Sequence, residues 1–307
     1  MGTPELATTS LEALLAAPGV QVVAVVTQPD RPKGRNLKLT PSPVKIVATR
    51  ERLPVLQPMK AREPEFLQQM RGFVPELIAV AAFGQILPQS LLELPRFGCV
   101  NVHTSLLPKY RGAAPIQWAI LNDEAETGVT IMQMDAGLDT GPILTQERTP
   151  INPEDDAETL HARLAGMGAE LLVHTIPEVV GGKIQPRPQP AEGVSYASKI
   201  KKQDGQIDWT KPARSIWNRV RGLVPWPTAF TFLPGQPHPQ LLKIWRAELN
   251  GKTGAPGEVL VADKSGIVIG CGRDSLRVFE LQLEGARRLG AQAFLAGHPL
   301  LPGTHLG

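Results

Sequence analysis

One stretch constrains this chain more than any other: residues 99–141, CVNVHTSLLPKYRGAAPIQWAILNDEAETGVTIMQMDAGLDTG. It opens on an apolar run, Cys99 and Val100 continuing through Val102, which reads as a buried strand between turn signals. Asn101 and His103 are two apart, so they leave that strand on the same side. Ser105, Leu106, Leu107 and Pro108 read as a loop that Lys109, Tyr110, Arg111 and Gly112 carry onward. Pro115 suits the first turn of a helix that ends near Asn122. Residues 128–134 read as a second strand, and residues 135–141 (DAGLDTG) as a tight glycine-rich loop at its end.

Two strand ends therefore deliver an amide, an imidazole and a carboxylate. In an open parallel sheet, ligands bind outside the carboxyl ends of the strands. Asn101 offers a neutral N–H to a developing oxyanion. His103 can move a proton near neutral pH. Asp139 can orient that imidazole. Each residue also has a plainer use: a single His at a strand end is commonly structural, and an Asp in a DxGxDTG loop commonly just forms the turn. The three together point to catalysis.

The pattern Asn-x-His-x-Ser-Leu-Leu-Pro followed by Asp-x-Gly-x-Asp-Thr-Gly resembles the 10-formyltetrahydrofolate-dependent formyltransferases. Further matching segments run along most of the chain: GTPE at 2–5, TQPDRPKGR at 27–35, PSPVK at 41–45, FGQILP at 83–88, RGAAPIQ at 111–117 and IDW at 207–209. PDRPKGR with PSPVK narrows the resemblance to the branch that formylates the methionine carried by charged initiator tRNA. Thr104 departs from the glycine often found there in that branch.

The resemblance implies formyl transfer from 10-formyltetrahydrofolate with Asn101, His103 and Asp139 as catalytic residues and no metal. It places the folate donor on Ser105, Leu106, Leu107 and Pro108 and on the loop around Gln85 and Leu87, with Phe83 and Ile86 as apolar walls. It assigns Arg31, Lys33, Arg35 and Lys38 to the tRNA acceptor end, and the positive charge of the second half adds Lys201 and Lys202 as expected tRNA contacts. Sister activities on sugar nucleotides or glycinamide ribotide, and hydrolysis of the donor, have no use for the basic residues at 31–45. A non-catalytic RNA-binding protein has no use for the catalytic trio.

A length of 307 residues suits about two domains. No apolar run approaches the ~20 residues of a membrane span, and the first residues lack a signal-peptide pattern. Cys99 and Cys271 stand alone, without metal-ligand spacing, and read as reduced buried thiols of a cytoplasmic protein, expected to be a monomer. Residues 1–186 hold 16 Lys and Arg against 20 Asp and Glu, a net of −4, whereas residues 187–307 hold 16 against 9, a net of +7. A basic second half fits a polyanionic partner.

Along the chain, helices are expected at 4–17, 44–50, 64–71, 90–94 and 156–180, and strands at 20–27, 54–56 and 77–83, with 142–147 as an extended return. Residues 28–43 read as a long basic loop without core-facing periodicity. The alternation argues an α/β class with a doubly wound, mostly parallel, Rossmann-like sheet over residues 1–185. The proline-rich IQPRPQPAEG at 184–193 marks a boundary, and residues 186–202 read as a stiff linker. Residues 203–307 carry a helix at 213–224, five short strands at 229–233, 241–249, 258–262, 267–270 and 276–283, and a closing helix at 291–296. Such a set suits a small, partly open OB-like barrel. The resemblance also implies a strand ahead of Gly2 at mid-sheet, for which Met1 leaves no residues. A missed upstream start or a fragment would produce this, leaving unpaired backbone on two neighbours and an open groove between them.

Overall fold

The computed structural model describes residues 1–33, 38–235 and 238–307, with the backbone alone at 33 and 38. The chain divides into two compact units. One comprises Met1–Pro115, Glu126–Pro150 and His161–Ala197; the other comprises Ile116–Ala125, Ile151–Leu160 and Ser198–Gly307.

The elements up to residue 197 run in this order: α1 (Glu5–Ala16), β1 (Val25–Val26), β2 (Arg31–Lys33), β3 (Lys38–Thr40), α2 (Pro43–Arg50), β4 (Val55–Leu56), α3 (Pro64–Gly72), β5 (Ile78–Ala81), α4 (Gln89–Leu92), β6 (Cys99–His103), β7 (Arg111–Gly112), α5 (Pro115–Leu121), β8 (Glu126–Gln133), β9 (Ile143–Pro150), α6 (Ala157–Val180) and β10 (Tyr196–Ala197). Four of these strands form a sheet in the order β5-β6-β8-β9. β5 and β6 are parallel, but β8 is antiparallel to both β6 and β9. The sheet is therefore mixed, where a mostly parallel one is expected from the alternation of strands and helices. β8 and β9 are joined by the short glycine-rich loop, and a connection that short can only return the chain antiparallel.

Residues 127–132 of β8 are buried on both faces, with Thr127 and Thr130 buried among Val129, Ile131 and Met132. Gly168 in α6 lets that helix lie directly on the strands: a Cβ there would meet Val102 Cγ1 at 2.7 Å. The backbone of β6, which carries Asn101 and His103, is thus held from above and from both edges.

At the other side of this unit the strand expected over 20–27 is laddered only at Val25–Val26, which pairs with β4. The reason is the supply of backbone partners on its other side. Met1 and Gly2 alone lie between β1 and β5: Gly2 N–H donates to the Val26 carbonyl, Ala81 N–H to the Met1 carbonyl, and the Met1 amine to the Ala79 carbonyl at 2.6 Å. Beyond them a groove of about 600 Å³ runs between residues 20–24 and 76–79, floored by Leu11, Leu14 and Leu172. Residues 21–24 accordingly belong to no ladder.

The basic segment at 28–43 also differs from the expected loop. β2 and β3 pair as an antiparallel ribbon, Arg31 opposite Thr40, Pro32 opposite Leu39 and Lys33 opposite Lys38. Its base is tied by a Thr27 Oγ1–Ser42 Oγ hydrogen bond of 2.7 Å and by Lys45 Nζ on Asp30 Oδ2 at 2.7 Å. The hydrogen bond from Lys45, with a second from Gln57, holds the Asp30 carboxyl below its usual range.

The segment expected as a linker is fastened to the first unit as far as residue 197. Arg187 and Ile143 exchange both backbone hydrogen bonds, and β10 pairs in parallel with β7.

The second unit carries α7 (Ala213–Gly222), β11 (Ala229–Leu233), β12 (Gln240–Asn250), β13 (Val259–Asp263), β14 (Gly266–Gly270), β15 (Ser275–Leu283), β16 (Leu289–Gly290) and α8 (Ala291–Gly297). The strands pair antiparallel throughout, in the order β11-β12-β15-β14-β13, with β16 added to β15. Its core joins Ile216, Trp217 and Val220 of α7 to Leu242, Ile244 and Leu276 of the sheet and Phe294 of α8. The two core indoles find partners, Trp209 Nε1 on Thr231 Oγ1 and Trp217 Nε1 on the Ala247 carbonyl, as buried indoles require.

Candidate active site

Asn101 and His103 stand at the carboxyl end of β6, paired across the sheet with Met132 and Thr130. Asn101 is half-buried, and among the described residues nothing hydrogen-bonds its side-chain amide. Its N–H groups are free for a ligand. His103 is buried, and its Nε2 lies 2.9 Å from the Tyr110 carbonyl oxygen. A carbonyl can only accept, so Nε2 carries a proton. That leaves Nδ1 facing Asp139 Oδ2 at 3.7 Å.

That separation exceeds a hydrogen bond. The imidazole is therefore oriented by the Tyr110 carbonyl, and the carboxylate stands beside the nitrogen that would gain a proton. Asp139 Oδ2 accepts from Gly112 N–H at 2.8 Å. Three residues here adopt left-handed backbone: Tyr110 at φ 62°, Gly112 at 121° and Asp139 at 51°. Non-glycine residues in that region are held there by their surroundings and gather at functional sites.

The two aspartates of the glycine-rich loop have separate uses. Asp135 Oδ1 accepts from Gly137 N–H and Thr140 Oγ1 and so shapes the turn. Asp139 is left to face His103.

The loop after β6 is held by a buried polar network. Thr130 Oγ1 donates to the Ser105 carbonyl at 2.6 Å and accepts from Leu107 N–H at 3.1 Å. Gln146 Nε2 donates to the Leu107 carbonyl and to Thr130 Oγ1. Ser105 is fully buried and its hydroxyl donates to the Lys109 carbonyl. Ser105 and Leu107 thus build the loop from inside, while Leu106 and Pro108 are half-buried. In the neighbouring loop, Gln85 spends its amide on Ala61 N–H and on the Pro58 and Met59 carbonyls. Phe83 and Leu87 are buried, whereas Ile86 is 85% exposed. Only Ile86 of that loop offers a free apolar face.

Of the basic residues, Arg31 is exposed, with Nη2 on Gln28 Oε1 at 3.3 Å. The backbones of Lys33 and Lys38 are paired in the β2–β3 register. Arg35 lies outside the described residues. Lys201 and Lys202 of the second unit are exposed at the start of a 3₁₀ turn, where Lys201 N–H donates to Asp204 Oδ2. Among the described residues, no three His, Cys, Asp or Glu side chains are grouped to hold a metal ion, and no helix is long and apolar enough to cross a membrane.

The holders of the site escape a sequence reading. The Tyr110 carbonyl, the Gly112 N–H, Thr130, Gln146 and Gln189 act through backbone groups or neutral side chains that follow no period. Of these, only Gly112 fell in a segment that the sequence reading had marked, RGAAPIQ at 111–117, and then through the family resemblance.

Residues 1–176 match the formyl transferase family and residues 199–299 match the formyl transferase C-terminal domain. The chain is similar over its full length to the methionyl-tRNA formyltransferases of Geobacter sulfurreducens, at 51% identity over 307 residues and 95% of that protein, and of Citrifermentans bemidjiense, at 52% and 95%. Among solved structures it is similar to an N-formyltransferase from Helicobacter canadensis in complex with folinic acid and dTDP-3-aminofucose. There the TM-score is 0.65 and the identity 22%, over 94% of this chain and 97% of that one. A sugar 3N-formyltransferase, WlaRD, gives 0.66 at 22% identity, over 93% and 97%. At that identity the likeness speaks for the fold. Matched over both its parts, and half identical to full-length relatives, the chain belongs to the formyl transferase family.

Proposed function

We propose that this protein transfers the formyl group of 10-formyltetrahydrofolate to the free amino group of methionine on charged initiator tRNA. The observation that carries this reading is identity of about half over the whole chain to methionyl-tRNA formyltransferases.

The site geometry supports a direct transfer without a covalent enzyme intermediate. The amine attacks the formyl carbon, and charge grows on the formyl oxygen. The free amide of Asn101 is the donor for that charge, in a half-buried place where a fixed dipole is worth more than in water. The attacking amine sheds a proton, which His103 takes at Nδ1. Asp139 faces the imidazolium so formed, and the proton then passes to the departing nitrogen of the donor. His103 serves in turn as base and acid. Ile86, Leu106 and Pro108 supply apolar contact to the donor's ring, while the backbone of residues 105–108, held by Thr130 and Gln146, serves its polar edge. Ser105, Leu107, Gln85 and Leu87 shape that wall.

The β2–β3 ribbon with Arg31, Lys33, Arg35 and Lys38 engages the acceptor end of the tRNA. Lys201, Lys202 and the basic second unit hold its phosphates. In this reading the first unit is a Rossmann-like sheet, and the second is an OB-like, partly open barrel, with residues 186–202 between the catalytic and tRNA-binding domains. The protein works in the cytoplasm as a monomer.

A formyl-transfer assay with charged initiator tRNA, charged elongator tRNA and an amino sugar nucleotide tests the reading. Rapid turnover of the initiator alone is the expected result. Preference for the sugar nucleotide, or formate release with no acceptor, would overturn it.

A further inference from the structure

Gln189 lies in the proline-rich segment after α6, where a linker residue has no evident task. Its side-chain amide is fully engaged. Oε1 accepts from Arg111 Nε at 3.0 Å and Nη2 at 2.7 Å, and Nε2 donates to the carbonyl oxygens of Asp139 at 2.7 Å and Gly141 at 2.8 Å. A primary amide has two donor hydrogens and two acceptor lone pairs, so nothing is left over.

These partners bracket the carboxylate that faces His103. Arg111 precedes Gly112, whose N–H donates to Asp139 Oδ2. The contacts close a circuit: Asp139 side chain to Gly112 backbone, Arg111 side chain to Gln189, and Gln189 to the Asp139 backbone. Asp139 at φ 51° sits in the left-handed region, sparsely populated outside glycine, and the Gln189 amide holds its carbonyl there. Gly141, the other residue whose carbonyl Gln189 holds, lies close against β8, where a Cβ would meet the Gln133 carbonyl oxygen at 1.9 Å.

The same segment also reaches the imidazole. Ser195 Oγ accepts from Tyr110 N–H and the Ser195 carbonyl accepts from Arg111 N–H, both at 2.9 Å. Tyr110 is the residue whose carbonyl receives His103 Nε2–H. Residues 187–197 thus strap together the two loops that present His103 and Asp139.

We propose that Gln189 is a positioning residue that sets the Asp139 carboxylate against His103. The proposal rests on the reading above, in which those two side chains carry the proton transfer. Gln189 acts through Asp139 and not on substrate.

The full chain with Gln189→Ala and with Gln189→Glu tests it. Glutamate keeps an acceptor for Arg111 but offers no N–H to the Asp139 and Gly141 carbonyls. Both variants should lower kcat roughly tenfold to a hundredfold, as small misplacements of catalytic groups do, with KM for charged tRNA and for the donor little changed. In an Asp139→Ala background, Gln189→Ala should reduce the residual rate no further, because the effect has lost its route. Hydrogen exchange at the Gly112 amide should speed up in Gln189→Ala. That readout needs no activity, so it reports on the clamp even if the formyl acceptor is other than the one proposed. Unchanged kcat in folded Gln189→Glu, full additivity with Asp139→Ala, or unchanged Gly112 exchange would overturn the proposal. If Gln189→Ala does not fold, Gln189→Glu carries all three measurements.

Discussion

His103 Nδ1 stands 3.7 Å from Asp139 Oδ2, while His103 Nε2 donates to the Tyr110 carbonyl. With Nε2–H spent on that carbonyl, Nδ1 is turned toward the carboxylate, and a proton on Nδ1 would make the pair a charge-assisted contact. Since a carboxylate attracts an imidazolium more than an imidazole, this placement favours a step in which His103 takes the proton of the amine.

Removing any of the three polar groups should cripple transfer while leaving the fold. Asn101→Ala should lower kcat by about 10²–10³, the usual cost of an oxyanion donor. His103→Ala and Asp139→Ala should lose most activity. Circular dichroism and thermal melting establish folding. Near wild-type turnover in any folded variant removes that residue from the mechanism.

Gly112→Ala should damage the site from the backbone. The residue sits at φ 121°, and a Cβ would meet the Ala197 carbonyl oxygen at 2.6 Å. The N–H that holds Asp139 would shift. The expected results are a stability loss of about 1–3 kcal/mol, the usual scale of such strain, and a fall in kcat. Retention of both would show that this N–H is dispensable.

Both thiols are pushed up to about 12 by burial. Disulfide-exchange reagents at pH 8 should find neither Cys99 nor Cys271 in the native protein and both after denaturation. A raised acid pKa means that the folded chain binds more protons than the unfolded one above the ordinary value of 9.0. Stability should therefore be unaffected by these groups below pH 9 and fall as pH rises from 9 toward 12. Rapid labelling of the folded chain at pH 8 would contradict this.

Binding of charged tRNA should weaken with salt. Each phosphate contact contributes a slope of roughly −0.9 in log affinity against log salt on duplex DNA. Lys201→Ala with Lys202→Ala should raise KM for tRNA and flatten that slope, leaving donor binding intact. Arg31→Ala should likewise damage tRNA use and spare the donor. An unchanged slope would leave these lysines as plain surface charge.

Dialysis against a strong chelator should leave formyl transfer intact, since the chemistry assigned to Asn101, His103 and Asp139 needs no metal. Loss of activity that one added metal restores would break this account.

The second-unit strands, the long helix α6 and the placement of Asn101 and His103 on one face were legible in the sequence, because periods of 2 and 3.6 residues are local properties of the backbone. The motif around them named Asp139 as their partner. Three things were not legible. Residues 21–24 look like a strand yet join no ladder, because a strand exists only where a neighbour takes its hydrogen bonds. Residues 28–43 have no core-facing pattern, yet β2 and β3 pair as a ribbon tied at its base by Thr27, Ser42, Asp30 and Lys45. The nitrogen of His103 that holds the proton, and the grip of Gln189 on Asp139 fifty residues earlier in the chain, depend on neutral amides and carbonyls. Every residue carries a carbonyl and nearly every one an N–H, so composition and spacing cannot tell which of them meet. Only the folded backbone, by bringing residues 103, 110–112, 139–141 and 187–197 to one place, chooses the partners.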